Sequence, residues 1–139
     1  MTESDVRADE HDIAKVLVRY ATGIDRRDWA AFRSCFTDDV VAEYDGVGTW
    51  TDSAAITEFM VTSHADMGHT MHRLSNVAIE VDGDTATARC SVDGVLMAAD
   101  GQTGLNPIGF YDDELVRTPD GWRIARRHFT MVHLRPLGG

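Results

Sequence analysis

Apolar residues in the first part of the chain recur at the spacing of an α-helix. From Asp9 to Ile24 they follow one another at steps of three, one, three and four, so they share one helical face. Gly23 weakens the last turn, and Asp28 is suited to cap a short second helix. The apolar residues are Ile13, Val16, Leu17, Tyr20 and Ile24 on the first helix, and Trp29, Phe32 and Phe36 on the second.

A β-hairpin and a third helix are predicted next. Residues 40–44 form a strand-like run, and the glycines of residues 45–48 turn the chain back toward residues 49–50. Asp52 or Ser53 is suited to cap a helix that extends to about residue 63. The residues spaced to pack inward from this helix are Ile56, Phe59 and Met60.

The second half of the chain alternates between apolar and polar residues and is interrupted by turn-forming residues, which is typical of antiparallel strands. Helices followed by an antiparallel meander predict an α+β fold, in which the helices cover one face of a curved sheet. The predicted strands span residues 70–81, 85–97, 108–117 and 122–134, with turns at 82–84, 100–101 and 119–121.

Composition and charge indicate the number of domains, the classes of partner and the location of the protein. The chain has 139 residues, of which 43% are apolar, so we expect one domain over residues 1–139 with its own core. Its net charge of −10 repels phosphate backbones and anionic lipid headgroups, which excludes nucleic acids and membrane surfaces as expected partners. The acidic N-terminus and the lack of an apolar run of about 18 residues predict a cytoplasmic protein.

Several kinds of reactive site are not indicated. Cys35 and Cys90 match no zinc, redox or disulfide spacing. His69 and His72 stand on opposite faces of a strand, so they do not chelate one ion unless a bulge intervenes. No glycine-rich phosphate loop or nucleophile motif occurs, and the single lysine, Lys15, faces water on the first helix. We therefore expect no metal, no cofactor and no covalent amine chemistry.

Four polar residues stand at the inner edge of apolar segments: Tyr20, Asp25, Tyr44 and His72. A buried phenol usually needs a hydrogen-bond partner, so the two tyrosines fit either a core or a site. Asp25 fits equally well as a helix-end residue or as a partner for the arginines that follow it. From residue types alone, structural and catalytic roles both stay open.

Five motifs spread along the chain occur together: Tyr20-x4-Asp25-Arg26-Arg27-Asp28-Trp29, Phe36-Thr37-Asp38-Asp39-Val40, Tyr44-Asp45-Gly46, His72-x3-Asn76 and Asp120-Gly121-Trp122-Arg123-Ile124. Together they resemble the SnoaL-like branch of the nuclear transport factor 2-like superfamily. The resemblance implies a cone-shaped α+β barrel, with the N-terminal helices packed on a strongly curved, mainly antiparallel sheet. Within that branch, the spacings are similar to those of cofactor-free lyases, namely scytalone dehydratase, bile-acid dehydratases and hexachlorocyclohexane dehydrochlorinase.

Roles for single residues follow from that resemblance. Asp25 and His72 match the catalytic dyad of those lyases, and Tyr20 and Tyr44 match tyrosines that face the substrate in the dehydratases. Asp93 falls near an acid that faces the cavity in the bile-acid enzymes. The dehydrochlorinase carries a lysine where this chain has Tyr20, which favours an oxygen leaving group over a halide.

These residue types suit proton transfer. A neutral imidazole with a pKa near ~6.5 removes a proton at pH 7, and a carboxylate on its other nitrogen orients it. We therefore predict a dehydratase-like lyase or an isomerase that needs no cofactor and acts on a small, apolar, cyclic molecule. The candidate substrate-binding residues are Trp29, Phe32, Phe59, Met60, Met71, Asp93, Met97 and His128.

Two further points stay open. The fold also serves non-catalytic relatives, so a hydrophobic-ligand-binding module or an accessory subunit, like the small subunit of a dioxygenase, is the alternative function. On the last strand, alternation puts Arg126 and His128 on the face of Ile124, and Arg127 and Phe129 on the other, and either face can meet the cavity. The resemblance also implies a homo-oligomer, a dimer or a trimer.

Overall fold

Three helices and one sheet form the fold of the computed structural model, which describes residues 2–139. The helices pack on a curved, six-stranded, mostly antiparallel sheet, so the predicted α+β fold is confirmed. None of the helices within these residues has the length and apolar character needed to span a bilayer. The elements are α1 (Glu3–Arg26), α2 (Trp29–Ser34), β1 (Phe36–Tyr44), β2 (Gly48–Trp50), α3 (Ser53–His64), β3 (Met67–Asp82), β4 (Thr85–Ala98), β5 (Gly104–Thr118) and β6 (Gly121–Leu137).

The order of strands in the sheet is β2-β1-β6-β5-β4-β3, so β2 and β3 are its two edges. All neighbouring strands are antiparallel except β1 and β6, which run parallel and bring Tyr44 beside Phe129. The edge strand β3 pairs with β4 on one side, and α1 packs along it. This topology sets the C-terminal end of α1 against β3.

The core lies between the helices and the covered face of the sheet. Leu17, Phe32 and Ile56, one from each helix, are buried there and meet Val40 and Ile124 from the strands. Burial of one such side chain contributes about 1.5 to 3 kcal/mol. The whole predicted apolar face of α1 is buried, as its helical spacing indicated.

Polar residues determine where the helices begin. Thr2 and Asp5 form a capping box in which each side chain accepts a hydrogen bond from the other's backbone N–H, so α1 begins before the predicted start at residue 9. Asp28 and Asp52 each accept a hydrogen bond from the backbone N–H three residues later, at 3.1 and 2.7 Å. Asp28 therefore caps α2 as predicted, and Asp52 is the cap of α3.

A β-bulge in β6 overturns the predicted faces of the last strand. Ile124 and Arg126 pair with successive residues of β5, which leaves Ala125 as an extra residue and shifts the alternation by one position. Arg127, instead of Arg126, therefore points into the interior, where it is only 1% exposed. The prediction that Arg126 and His128 share a strand face with Ile124 is wrong, because Ile124 is buried and both of these residues are exposed.

Asn76, the last residue of the His72-x3-Asn76 motif, lies at a bulge of β3. The register with β4 shifts between Ser75 and Ala78, and Asn76 has a φ of 53°, in the left-handed region. Asn adopts this region more readily than most residues. Because its side chain is exposed, the role of the Asn in this motif is to let the backbone adopt the bulge.

Two substitutions at Asn76 test this backbone role. Asn76→Gly should change the free energy of unfolding by less than about 0.5 kcal/mol, because Gly accepts a positive φ. Asn76→Val should lower it by about 1 to 2 kcal/mol, because a β-branched residue is strained there. Urea unfolding measures both values. Equal losses in the two variants would instead indicate that contacts of the Asn side chain matter.

Candidate active site

Asp25 and His72 meet where α1 ends against the edge strand β3. Nδ1 of His72 lies 2.7 Å from Oδ1 of Asp25. The backbone N–H of His72 donates to Oδ2 of the same carboxylate at 2.8 Å, so both carboxylate oxygens contact one residue. The side chains of His72 and Asp25 are 10% and 21% exposed. They form a partly buried hydrogen-bonded pair, which we call the dyad.

Thr70 and Arg27 support the carboxylate of the dyad. The hydroxyl of Thr70 donates to Oδ1 of Asp25 at 3.0 Å. Arg27 in turn donates to Oγ1 of Thr70 and to the carbonyl of Gly68, each at 2.8 Å. Arg27 caps the C-terminal end of α1 with a φ of 58°, in the left-handed region. From this position its side chain extends back to β3. Sequence reasoning missed both residues, although Thr70 shares a strand face with His72 at a spacing of two.

Hydrogen bonding keeps Asp25 ionised. Burial alone would raise the pKa of its carboxyl, but the hydrogen bonds from the ring and backbone of His72, and a smaller one from Thr70, lower the pKa below its usual value. A carboxylate only accepts, so Nδ1 of a neutral His72 ring carries the proton between them and Nε2 is bare. Among residues 2–139 no protein group hydrogen bonds to this Nε2, which leaves it free to meet a bound molecule.

A cavity of about 360 Å³ lies beside the dyad and is lined by the His72 ring. Sites for small organic molecules usually have volumes of about 300 to 1,000 Å³. The lining is mostly apolar and comes from α1, α3 and all strands except β2. Its exposed rim includes Val47, Leu105 and Leu134.

Tyr20 and Tyr44 place two phenols in the wall of this cavity. Their hydroxyl oxygens are 2.6 Å apart. Burial raises the pKa of each phenol well above its usual value, so both are neutral. A hydrogen bond between two hydroxyls uses one proton, so the pair retains a second O–H that can donate to a ligand.

Arg127 lies under the two phenols as a buried cation. Its guanidinium makes a bidentate ion pair with Asp113, at 2.7 and 2.8 Å. The guanidinium carbon lies 4.1 Å from the ring centre of Tyr20 and 3.9 Å from that of Tyr111, and Nη1 lies 3.5 Å from the hydroxyl oxygen of Tyr44. Burial by itself would lower the pKa of Arg127, but the Asp113 carboxylate raises it. A buried ion pair thus lies directly behind the phenols of the cavity wall.

Sequence comparison gives the family of the chain. The family model described as a SnoaL-like domain matches residues 5–128. The chain belongs to the SnoaL-like domain family. This SnoaL-like protein is 34% identical over 122 residues to the uncharacterized protein Rv2910c of Mycobacterium tuberculosis, with 86% of this chain and 83% of that relative covered.

Solved structures share the fold of this SnoaL-like protein. A protein from Novosphingobium aromaticivorans provisionally assigned as an aromatic ring hydroxylase superposes with a TM-score of 0.86 at 30% identity, with 93% of each chain covered. Hexachlorocyclohexane dehydrochlorinase LinA-type3 from Novosphingobium barchaimii superposes with a TM-score of 0.87 at 19% identity, with 99% of this chain and 96% of that chain covered. The second likeness is one of fold alone.

Some of the residues predicted to bind substrate line the cavity, and others do not. Phe59 and Met60, on α3, line the cavity of this SnoaL-like protein. Phe32 does not, because it is buried in the core beneath the helices. Trp29 lies outside the lining and packs edge-on against the ring of His64, with 5.9 Å between the ring centroids.

Strand alternation corrects the prediction for Met71 and Met97. Each is adjacent in sequence to a residue that lines the cavity, His72 or Leu96, and successive side chains on a strand point to opposite faces. Met71 is consequently 53% exposed. Neither methionine lines the cavity.

Asp93 and His128 are also corrected, because both lie on the surface. Asp93 accepts hydrogen bonds from Arg73 and Asn106, each at 2.7 Å, and its side chain is 41% exposed. His128 lies 3.0 Å from a carboxylate oxygen of Asp45 and is 46% exposed. Their polar partners hold them outside the cavity.

Removal of one member of the buried ion pair should destabilise the protein strongly. Asp113→Ala leaves the Arg127 charge unpaired and should lower the free energy of unfolding by about 3 to 5 kcal/mol. The double variant Asp113→Leu with Arg127→Met removes both charges and should recover most of that loss. Chemical denaturation measures the two values. A double variant no more stable than Asp113→Ala would contradict this account.

The lowered pKa of Asp25 predicts a pH dependence of stability. The ionised carboxylate stabilises the fold at pH values above its ordinary pKa of 3.8, and the contribution is lost as pH falls through the lower folded value. The stability difference between wild type and Asp25→Asn should therefore shrink as the medium becomes more acidic than 3.8. Denaturation at a series of acid pH values measures it, with the exposed Asp66→Asn as control. A difference that stays constant with pH contradicts the assignment.

Proposed function

We propose that this protein is a lyase, or a closely allied isomerase, that removes a proton from a small, mostly apolar, cyclic substrate. The observation that carries the proposal is the placement of the His72 ring. Asp25 holds its Nδ1 at 2.7 Å, and the same ring lines an apolar cavity. A general base needs a fixed orientation and reach to the proton that it removes. The contact with Asp25 supports the first, and the position of His72 in the cavity lining supports the second.

His72 acts as the base through Nε2. When Nε2 takes the proton, the ring becomes a cation, and the Asp25 carboxylate stabilises that charge through Nδ1–H. General-base catalysis of this kind contributes about 10² to 10⁴-fold to the rate. Asp25 keeps its negative charge throughout, in line with its lowered pKa.

The hydroxyl pair of Tyr20 and Tyr44 donates a hydrogen bond to the substrate oxygen on which negative charge develops. A carbonyl oxygen next to the reacting carbon gains negative charge as the proton leaves, and the second O–H of the pair donates to it. The Arg127 charge, 3.5 Å from the Tyr44 oxygen, stabilises negative charge in the same place.

A cyclic β-hydroxy ketone illustrates the lyase reaction. His72 removes the proton from the α-carbon, and the electron pair of that C–H bond forms the C=C bond while the C–O bond at the β-carbon breaks. The departing hydroxide takes the proton from the His72 imidazolium and leaves as water, which restores the neutral ring. In an isomerisation, the imidazolium returns the proton to a different carbon.

A neutral substrate fits the charges of the protein. The cavity wall is mostly aliphatic and aromatic, and the chain carries a net charge of −10, which disfavours phosphates and carboxylates. A ligand-binding module without chemistry is the alternative function. Such a module needs the cavity but transfers no proton, so a His72 ring that Asp25 orients at 2.7 Å supports the enzyme.

Replacement of His72 tests the proposed reaction. One assay uses NMR in D₂O to measure deuterium exchange at the α-carbons of 2-tetralone, a neutral bicyclic ketone. A second assay measures the dehydration of cyclic β-hydroxy ketones. His72→Ala should slow the catalysed rate by about 10² to 10⁴-fold. His69→Ala, which alters an exposed histidine of the same strand, is the matched control and should keep the wild-type rate. A folded His72→Ala variant with undiminished catalysis would refute the proposal.

A further inference from the structure

A second histidine, His64, lies in the wall of the cavity at the end of α3. Only 6% of the residue is exposed. Its Nδ1 lies 2.8 Å from the carbonyl oxygen of Met60, one turn earlier on the same helix. A carbonyl oxygen only accepts, so Nδ1 carries the proton of this contact. The hydroxyl of Ser63 also lies 3.1 Å from Nδ1.

This hydrogen bond decides the state of the other ring nitrogen. In a neutral imidazole with a protonated Nδ1, Nε2 has a lone pair and acts as an acceptor. Burial, the largest effect on this ring, lowers the pKa of His64, so the ring is neutral near pH 7. The hydrogen bond to the Met60 carbonyl opposes this effect and raises the pKa; among the nearby charges, Arg27 lowers it and Asp25 raises it.

Nε2 of His64 is a buried acceptor without a partner among residues 2–139. Most buried polar atoms in native proteins are hydrogen-bonded, because an unsatisfied one loses its interaction with water and gains nothing in return. The Nδ1 edge of the ring is turned back to its own helix, so Nε2 lies on the edge of the ring directed away from Met60. His64 is one of the residues that line the cavity beside the dyad.

We propose that His64 determines specificity by accepting, at Nε2, a hydrogen bond from a hydroxyl group of the substrate. The preferred substrate is then a neutral cyclic molecule that carries a free hydroxyl away from the carbon that loses its proton. The inference rests on the proposed function, because it takes the cavity to be the substrate site. It assigns recognition to His64 and leaves proton removal to His72.

The two histidines differ in the way that these roles require. His72 has a carboxylate on Nδ1, which stabilises the cation formed when the ring takes a proton. His64 has a neutral carbonyl on Nδ1, which does not compensate a full positive charge in the way a carboxylate does. His64 is therefore suited to accept a hydrogen bond without taking the proton.

A site with an unpaired buried acceptor should discriminate strongly between donors and non-donors. A ligand that satisfies the acceptor gains a hydrogen bond, and an analogue without the donor leaves the nitrogen unpaired. We expect a preference of about tenfold or more for the donor ligand.

Binding of three matched bicyclic probes tests the proposal. 2-Naphthol carries a hydroxyl donor, 2-methoxynaphthalene keeps the oxygen but cannot donate, and 2-methylnaphthalene has nearly the same size without oxygen. By isothermal titration, wild type should bind 2-naphthol about tenfold or more tightly than the other two. His64→Phe keeps a ring of similar size and should reduce the preference to about twofold or less in the folded variant. His69→Phe is the matched control and should keep the wild-type preference.

His64→Gln and nitrogen NMR provide independent readings. Gln places an amide oxygen near the position of Nε2 and should restore part of the preference. In wild type, the ¹⁵N shifts should identify His64 as the Nδ1–H tautomer, with the Nε2 signal moving toward a hydrogen-bonded value when 2-naphthol is added. An Nε2–H tautomer, no preference in wild type, or a preference that survives His64→Phe overturns the proposal. None of these measurements involves turnover, so they are separate from a failure of the catalytic proposal.

Discussion

A guanidinium shielded from water is tolerated only where another charge pairs with it, and Arg127 imposes this requirement on the interior of the protein. Asp113 on the neighbouring strand supplies the charge, and the rings of Tyr20 and Tyr111 cover the cation. With Tyr44 at hydrogen-bond distance, one side chain on β6 connects α1, β1 and β5. The phenols in the cavity wall are therefore held by an interaction beneath the cavity, so the shape of the cavity depends on a group outside its lining.

Local patterns predicted the order of the elements but not all of their bounds or strand faces. Phe36, predicted on the second helix, is the first residue of β1. The spacing of Ile13, Leu17 and Ile24 gives the buried side of α1 directly, because a helix repeats regularly. On β6, the extra residue at Ala125 reverses the side chains that follow it, up to a second bulge between Met131 and His133, and no residue type predicts it. Arg127 was consequently not recognised as the interior cation.

The candidate site was predictable where residues resemble a known motif and not where contacts depend on the three-dimensional fold. Asp25 and His72, 47 positions apart, were paired through the resemblance, and the structure brings their side chains together. Arg27 contributes through a left-handed helix end that supports Thr70, and His64 through a tautomer fixed by a backbone carbonyl. Contacts of this kind join segments distant in sequence or depend on hydrogen-bond direction, so spacing alone does not reveal them.

The hydrogen bond from the backbone N–H of His72 to Asp25 has a consequence for solubility. His72 lies on β3, an edge of the sheet, and an unpaired edge can recruit strands from other molecules. Asp25 occupies that N–H, and Arg27 occupies the carbonyl of Gly68 on the same strand. The end of α1 therefore acts as a cover that opposes edge-to-edge aggregation. The same carboxylate that orients His72 also protects the sheet, so selection for either property would maintain an acidic residue at this position.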